Sequence, residues 1–149
     1  MESHTCDRCD NPATKRCSSC RKLWYCSEEC QKQAWPLHIF DCTPGRPIKT
    51  AYYLYQAVAL DMIPGHPQTR EAYGFNRVPE EEEGKLVGLY TGLIKYLGIS
   101  PDDLHQWRKQ GIFVAKLKEK YDQVPEDNRG QYYPWFLRNE SVLDLDRRR

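Results

Sequence analysis

All seven cysteines of this 149-residue chain fall between Cys6 and Cys42. Clustered sulfur restricts the available folds more than any other feature here, because only a disulfide framework, a redox dithiol or a metal site accounts for it. An odd count leaves one thiol outside any disulfide set. The opening MESHTCDRC lacks the apolar run of a secretory leader, so the expected setting is reducing and intracellular, nucleus or cytoplasm. A redox C-x-x-C pair belongs at the start of a helix in an α/β fold, not duplicated beside six further ligands.

Spacing favours metal. The pattern is C-x2-C-x7-C-x2-C-x5-C-x3-C-x7-H-x3-C, with candidates Cys6, Cys9, Cys17, Cys20, Cys26, Cys30, His38 and Cys42. Zinc takes four tetrahedral sulfur or nitrogen ligands, and a C-x2-C turn brings two sulfurs to one ion. Cys26 with Cys30, and His38 with Cys42, are four residues apart, which puts each pair on one helical face. Eight protein ligands around two ions leave no open position for water or substrate, so the expected metal role is structural rather than catalytic.

The residues between the ligands suggest local structure. Thr14-Lys15-Arg16 and Leu23-Trp24-Tyr25 are expected to pair as short strands around a Ser18-Ser19 knuckle. A helix should follow, capped by Ser27, with Glu28 and Glu29 in its first turn, and interrupted at Pro36. So small a segment has too little apolar surface to offset its chain entropy, and metal binding must supply the fold.

In ligand type and order this segment resembles the MYND zinc finger. The HIT-type finger has a similar ligand order with different spacing near the histidine, and RING and PHD fingers place the histidine earlier. The resemblance implies interleaved sites, with Cys6, Cys9, Cys26 and Cys30 on one zinc and Cys17, Cys20, His38 and Cys42 on the other. It implies too a protein-interaction module that docks proline-containing peptides, with Ser18, Gln31 and Trp35 at the docking positions. Each of these three has a plainer reading: a knuckle residue, a solvated helix residue and a cover over the second zinc.

At Thr43-Pro44-Gly45-Arg46-Pro47 the composition changes, which sets an expected boundary between a finger, 1–45, and a helical domain, 46–149. The expected fold is thus a small zinc-stabilised α+β finger with two interleaved sites, a short β-hairpin and a helix, followed by an all-α domain. Ile48 to Ile63 should be helical, with Tyr52, Tyr55, Ala59 and Met62 on one stripe. Glu80 to Leu97 carries Leu86, Leu89, Tyr90, Leu93, Ile94 and Leu97 at helical intervals, with Glu80 to Glu83 as a solvated first turn. Ser100 caps a helix that turns Leu104 and Trp107 inward. Phe113, Leu117 and Tyr121 share a further stripe, and Tyr132, Tyr133, Trp135, Phe136 and Leu137 close the core. Arg147-Arg148-Arg149 is expected to fray.

No catalytic constellation is visible after Cys42, and His66 and His105 suit surface or capping roles. Lys and Arg total 22 against 21 for Asp and Glu, too balanced to hold a nucleic-acid backbone. No apolar run approaches the roughly 20 residues of a membrane span. The expected function is a non-enzymatic adaptor in transcriptional co-regulation, with homo-oligomerisation through the helical domain open. The alternative is a fragment or relative of a MYND-containing SET-type lysine methyltransferase, although no NHSC-type cofactor motif is present. A finger followed by PEDNRGQYYPWF also resembles fungal MYND proteins, which assigns no activity.

Overall fold

Strands of two residues are the largest pieces of sheet the cysteine-rich segment forms. In the computed structural model, which describes residues 4–18, 20–42 and 47–143, β1 (His4–Thr5) pairs antiparallel with β2 (Pro12–Ala13), and β3 (Lys15–Arg16) with β4 (Trp24–Tyr25). The first hairpin was not legible from β-propensity, since of His4, Thr5, Pro12 and Ala13 only the threonine favours a strand. The second falls inside the expected strands, without Thr14 and Leu23. Ser19 of the knuckle lies outside the described residues.

Each hairpin encloses a cysteine knuckle closed by the backbone. Asp10 N–H donates to the Cys6 carbonyl at 2.9 Å, and Arg21 N–H to the Cys17 carbonyl at 2.9 Å. The residue just after each C-x2-C pair turns left-handed, Asp10 at φ 67° and Arg21 at φ 59°. Such a conformation costs about 1–2 kcal/mol for a residue with a Cβ, so something stronger must hold the turn. The two knuckles are tied together by Asp7, whose N–H donates to the Trp24 carbonyl at 2.8 Å and whose carboxylate accepts from Trp24 N–H at 2.7 Å.

Helix α1, Glu28–Cys42, begins as its sequence suggests: Ser27 Oγ accepts from Cys30 N–H at 3.2 Å, and Glu28 and Glu29 face the positive end of the helix dipole. It does not stop at Pro36. The proline lies inside the helix, where its missing N–H and ring clash cost about 3 kcal/mol. Cys30 on one side, and His38 and Cys42 on the other, anchor the helix to separate ligand clusters and offset that cost.

The chain divides into two compact units, Met1–Ile48 and Lys49–Arg149. Residues 43–46, on which the expected boundary falls, and 144–149, which include the terminal arginines, lie outside the described residues. The second unit contains α2 (Thr50–Ala59), α3 (Pro67–Ala72), α4 (Glu83–Thr91), α5 (Pro101–Gln110), α6 (Phe113–Asp122) and α7 (Tyr132–Leu137). Helix α4 packs against α2 and α7, and α5 against α2 and α6. Leu54, Leu86, Leu89, Tyr90, Leu93, Leu104, Phe113, Leu117 and Phe136 fill the core between them.

Several expectations for this unit need correction. Helix α2 ends at Ala59, and Asp61 turns left-handed at φ 55°. Met62 therefore leaves the helix and is 56% exposed, while the buried face is Ala51, Tyr52, Leu54, Ala57 and Val58. Helix α4 continues into a π-helical stretch at Gly92–Tyr96 before Gly98, at φ 69°, ends it. Leu137 lies on the surface rather than in the core. Ser100 does cap α5, accepting from Asp103 N–H at 3.1 Å.

The acidic run at Glu80 to Glu83 is not all solvated. Glu83 is buried and its Oε1 lies 2.6 Å from Arg70 Nη1, while Glu82 accepts from Trp135 Nε1–H at 2.7 Å. The Arg70 side chain is 25% exposed and also donates to the Pro64 carbonyl and Asn76 Oδ1, so it keeps partners without Glu83. Glu83→Ala is therefore expected to destabilise the helical unit by about 1–2 kcal/mol in urea unfolding, whereas Glu80→Ala should stay within about 0.5 kcal/mol of wild type.

Candidate metal centre

The two knuckles and α1 deliver eight ligand side chains in two groups. Cys6, Cys9, Cys26 and Cys30 form one, and Cys17, Cys20, His38 and Cys42 the other; within each, the ligand atoms lie within 4.8 Å of one another. Each group takes one knuckle and one stretch of the β4–α1 segment, so the groups interleave along the chain. The sites share the helix, which carries Cys30 for the first, and His38 and Cys42 for the second.

Sulfur separations identify the chemistry. Cys9 and Cys26 are 3.5 Å apart, Cys26 and Cys30 3.5 Å, and Cys30 and Cys9 3.8 Å. Cys17 and Cys42 are 3.6 Å apart, and Cys20 Sγ lies 3.5 Å from His38 Nε2. A disulfide needs about 2.05 Å. A tetrahedral zinc with bonds of about 2.3 Å sets its sulfurs about 3.8 Å apart. All seven cysteines are free, so both donor sets fit zinc.

Electrostatics point the same way. Burial pushes the Cys6 thiol up, but backbone N–H groups of Cys26, Arg8 and Cys9 outweigh it and bring it down to about 6. Cys26, hydrogen-bonded to the sulfurs of Cys30 and Cys9, is pushed up to about 12. Four sulfurs at these distances cannot all be anionic without a cation among them, and a divalent ion removes the conflict.

His38 is oriented by packing. Its ring meets Trp35 edge-on at 5.7 Å and Tyr25 at 6.4 Å, and its buried Nδ1 has no hydrogen-bond partner among the described residues. Trp35 thus acts in part as the cover over the second site, while remaining half-exposed. Gln31, one turn earlier, is also half-exposed, and Ser18 is exposed on its knuckle. Sequence reasoning missed two neighbours of the sulfurs. Arg8 Nη1 approaches Cys30 Sγ at 4.0 Å, and Lys22 N–H donates to Cys20 Sγ at 3.5 Å. Their positions inside or just after a C-x2-C knuckle were the available signal.

The predicted bystanders lie elsewhere. His66 stands at the start of α3, sharing a hydrogen bond with Thr69 Oγ1 at 2.8 Å and stacked on Tyr53 at 3.8 Å. His105 is half-buried on α5, and burial, followed by Lys49 and Lys109, lowers its pKa.

Two complete four-ligand sets, each joining one hairpin knuckle to the β4–α1 segment, define a two-site structural zinc finger. Residues 6–42 match the profile of the MYND finger, and this segment is a MYND finger holding two structural zinc ions. MYND fingers are protein-interaction modules rather than catalytic centres.

Among similar proteins, a zinc finger MYND domain-containing protein 10 homolog of Drosophila melanogaster is 46% identical over 39 residues, covering 26% of this chain and 9% of the relative. Tudor domain-containing protein 1 of Homo sapiens is 40% identical over 47 residues, or 32% of this chain and 4% of the relative. The histone-lysine N-methyltransferase SMYD3 of Homo sapiens is 36% identical over 96 residues, or 56% of this chain and 22% of the relative. The chain thus spans only a minor part of each. No solved structure gives a significant match.

Proposed function

We propose that the finger docks short proline-containing segments of partner proteins, with Gln31, Trp35 and Ser18 as contact residues. On this reading the chain is a non-enzymatic adaptor of the nucleus or cytoplasm, acting in transcriptional co-regulation. The observation that supports the reading most is the pairing of Gln31 and Trp35 one turn apart on α1, both half-exposed, on a base braced by two ligand clusters. A proline-rich segment is already stiff and loses little entropy on binding. An indole offers it a flat face, and a glutamine amide can both donate to and accept from its backbone.

The affinity expected for one stacked ring and a few backbone bonds is about micromolar, or roughly 8 kcal/mol. Neither Gln31 nor Trp35 supplies a ligand atom. Gln31→Ala with Trp35→Ala is therefore expected to abolish peptide-induced amide shifts in NMR titration while both zinc ions stay bound. A library of proline peptides that moves no resonance of Ser18, Gln31 or Trp35 would sink the proposal. Loss of zinc in the double variant would make Trp35 the cover over His38 and nothing more.

A second reading has its own support. The match to the human methyltransferase is longer than segment 6–42, so the similarity runs past the finger. On that reading the chain is part, or a relative, of a larger MYND-containing lysine methyltransferase, with the activity carried by other segments of that protein. Transfer of a labelled methyl group to histone by a longer protein that contains this segment, and not by the segment alone, would favour it over the adaptor.

A further inference from the structure

The helical unit contains a cavity that finger function leaves unused. Its volume is about 740 Å3, within the roughly 300–1,000 Å3 of small-molecule sites. One face of α4 and its π-helical extension forms the floor, where Gly84, Gly88, Thr91 and Gly92 line the space.

The glycines do different things. A Cβ at Gly88 would strike the ring of Tyr132, and one at Gly92 the hydroxyl of Tyr121. Their absence of side chain lets two tyrosines lie directly against the helix as walls. At Gly84 an added Cβ meets nothing within 4 Å, because that part of the floor faces open cavity.

The walls are set before any ligand arrives. Tyr121 donates its hydroxyl to the Leu89 carbonyl at 2.6 Å, and its ring stacks on Tyr133 at 4.6 Å. A preformed wall adds no ordering cost to binding. At the rim Tyr96 is 84% exposed. It stands in the π-helical stretch, a distortion found disproportionately at functional sites.

Charge then narrows the ligand. The lining contains one acid, Asp61, and one base, Arg129, and the Arg129 guanidinium already donates to the carbonyls of Val124 and Asp122. With no net charge to attract an ion, and with aromatic and aliphatic walls, the site favours an uncharged apolar body. The amides of Asn128 and Gln131 on the lining offer neutral hydrogen bonds to one polar substituent. We propose that this cavity is a binding site for a neutral, flat, aromatic small molecule, lying over the glycine floor against Tyr121 and Tyr132.

The test uses the full zinc-loaded chain and naphthol as probe, followed by amide resonances. Saturable shifts centred on Gly84, Val87, Thr91 and Leu97 are expected, with a dissociation constant below about 1 mM. Naphthoate, of the same shape but charged, should bind at least about fivefold more weakly. Gly84→Trp should lay an indole over the glycine floor where naphthol would lie and weaken naphthol at least about tenfold, and Gly84→Leu serves the same purpose with less bulk should the tryptophan variant melt early. Gly84→Ala, adding one methyl, should change binding less than about threefold. The proposal is overturned if wild type gives no saturable shift, if shifts centre away from α4, if naphthoate binds as well as naphthol, or if the folded Trp or Leu variant binds like wild type.

Discussion

Chelating the zinc is expected to unfold residues 4–42 while the helix signal of α2 to α7 persists. Nothing else in the finger is strong enough to hold it. Its buried cluster is Cys6, Ala13, Cys17, Tyr25, Cys30 and Cys42, so four of the six members of that cluster are ligands, and its strands are two residues long. Ordering the backbone costs about 1–2 kcal/mol per residue, and structural zinc returns roughly 10–16 kcal/mol per site in finger peptides. The helical unit has a separate core, including Leu54, Leu86 and Phe136, which contains no metal ligand. Elemental analysis should return two zinc ions per chain before chelation. One ion, or complete collapse of the circular dichroism signal on chelation, would contradict this division.

Nearly as large an effect is expected from a single histidine. His38→Ala removes one of the four donors of the second site and leaves three sulfurs crowded around an open position. Even groups that only support a ligand change metal affinity 10–100-fold, so losing the ligand itself should weaken that site by more than about hundredfold. The damage should spread, because α1 carries Cys30 of the first site as well. His66→Ala and His105→Ala should keep both ions, since these residues sit on the helical unit. Zinc loss at His105 equal to that at His38 would show that the ligand set is wrong.

Ligand identity was legible in the sequence because metal geometry imposes short, fixed spacings, and seven cysteines in one segment leave few alternatives. Which four share an ion was not legible from spacing, since C-x2-C pairs can be combined in several ways with no change in it; the resemblance to the MYND finger implied the pairing that the distances in space then give. Pro36 misled for a related reason. Helix propensity is local, whereas the anchors at Cys30, His38 and Cys42 act through ligand clusters that propensity does not include. In the helical unit, the stripe Phe113, Leu117 and Tyr121 was readable because α6 buries one regular face. Met62 was misplaced by extending periodicity past the helix end, and Glu83 by judging a charge without its partner, Arg70, thirteen residues away. The cavity was invisible in advance because its walls come from Tyr121 and Tyr132, which meet the α4 glycines only in the folded unit.

Interleaving of the two ligand sets ties α1 to both clusters, through Cys30 to one and through His38 and Cys42 to the other. Cadmium in place of zinc makes the pairing directly observable, since metal–proton correlation spectra link each ion to the β-protons of its own cysteines. Two cadmium signals are predicted, one linked to Cys6, Cys9, Cys26 and Cys30, the other to Cys17, Cys20 and Cys42 and to the His38 ring. A signal linking Cys6 and Cys9 with Cys17 and Cys20 would contradict the account.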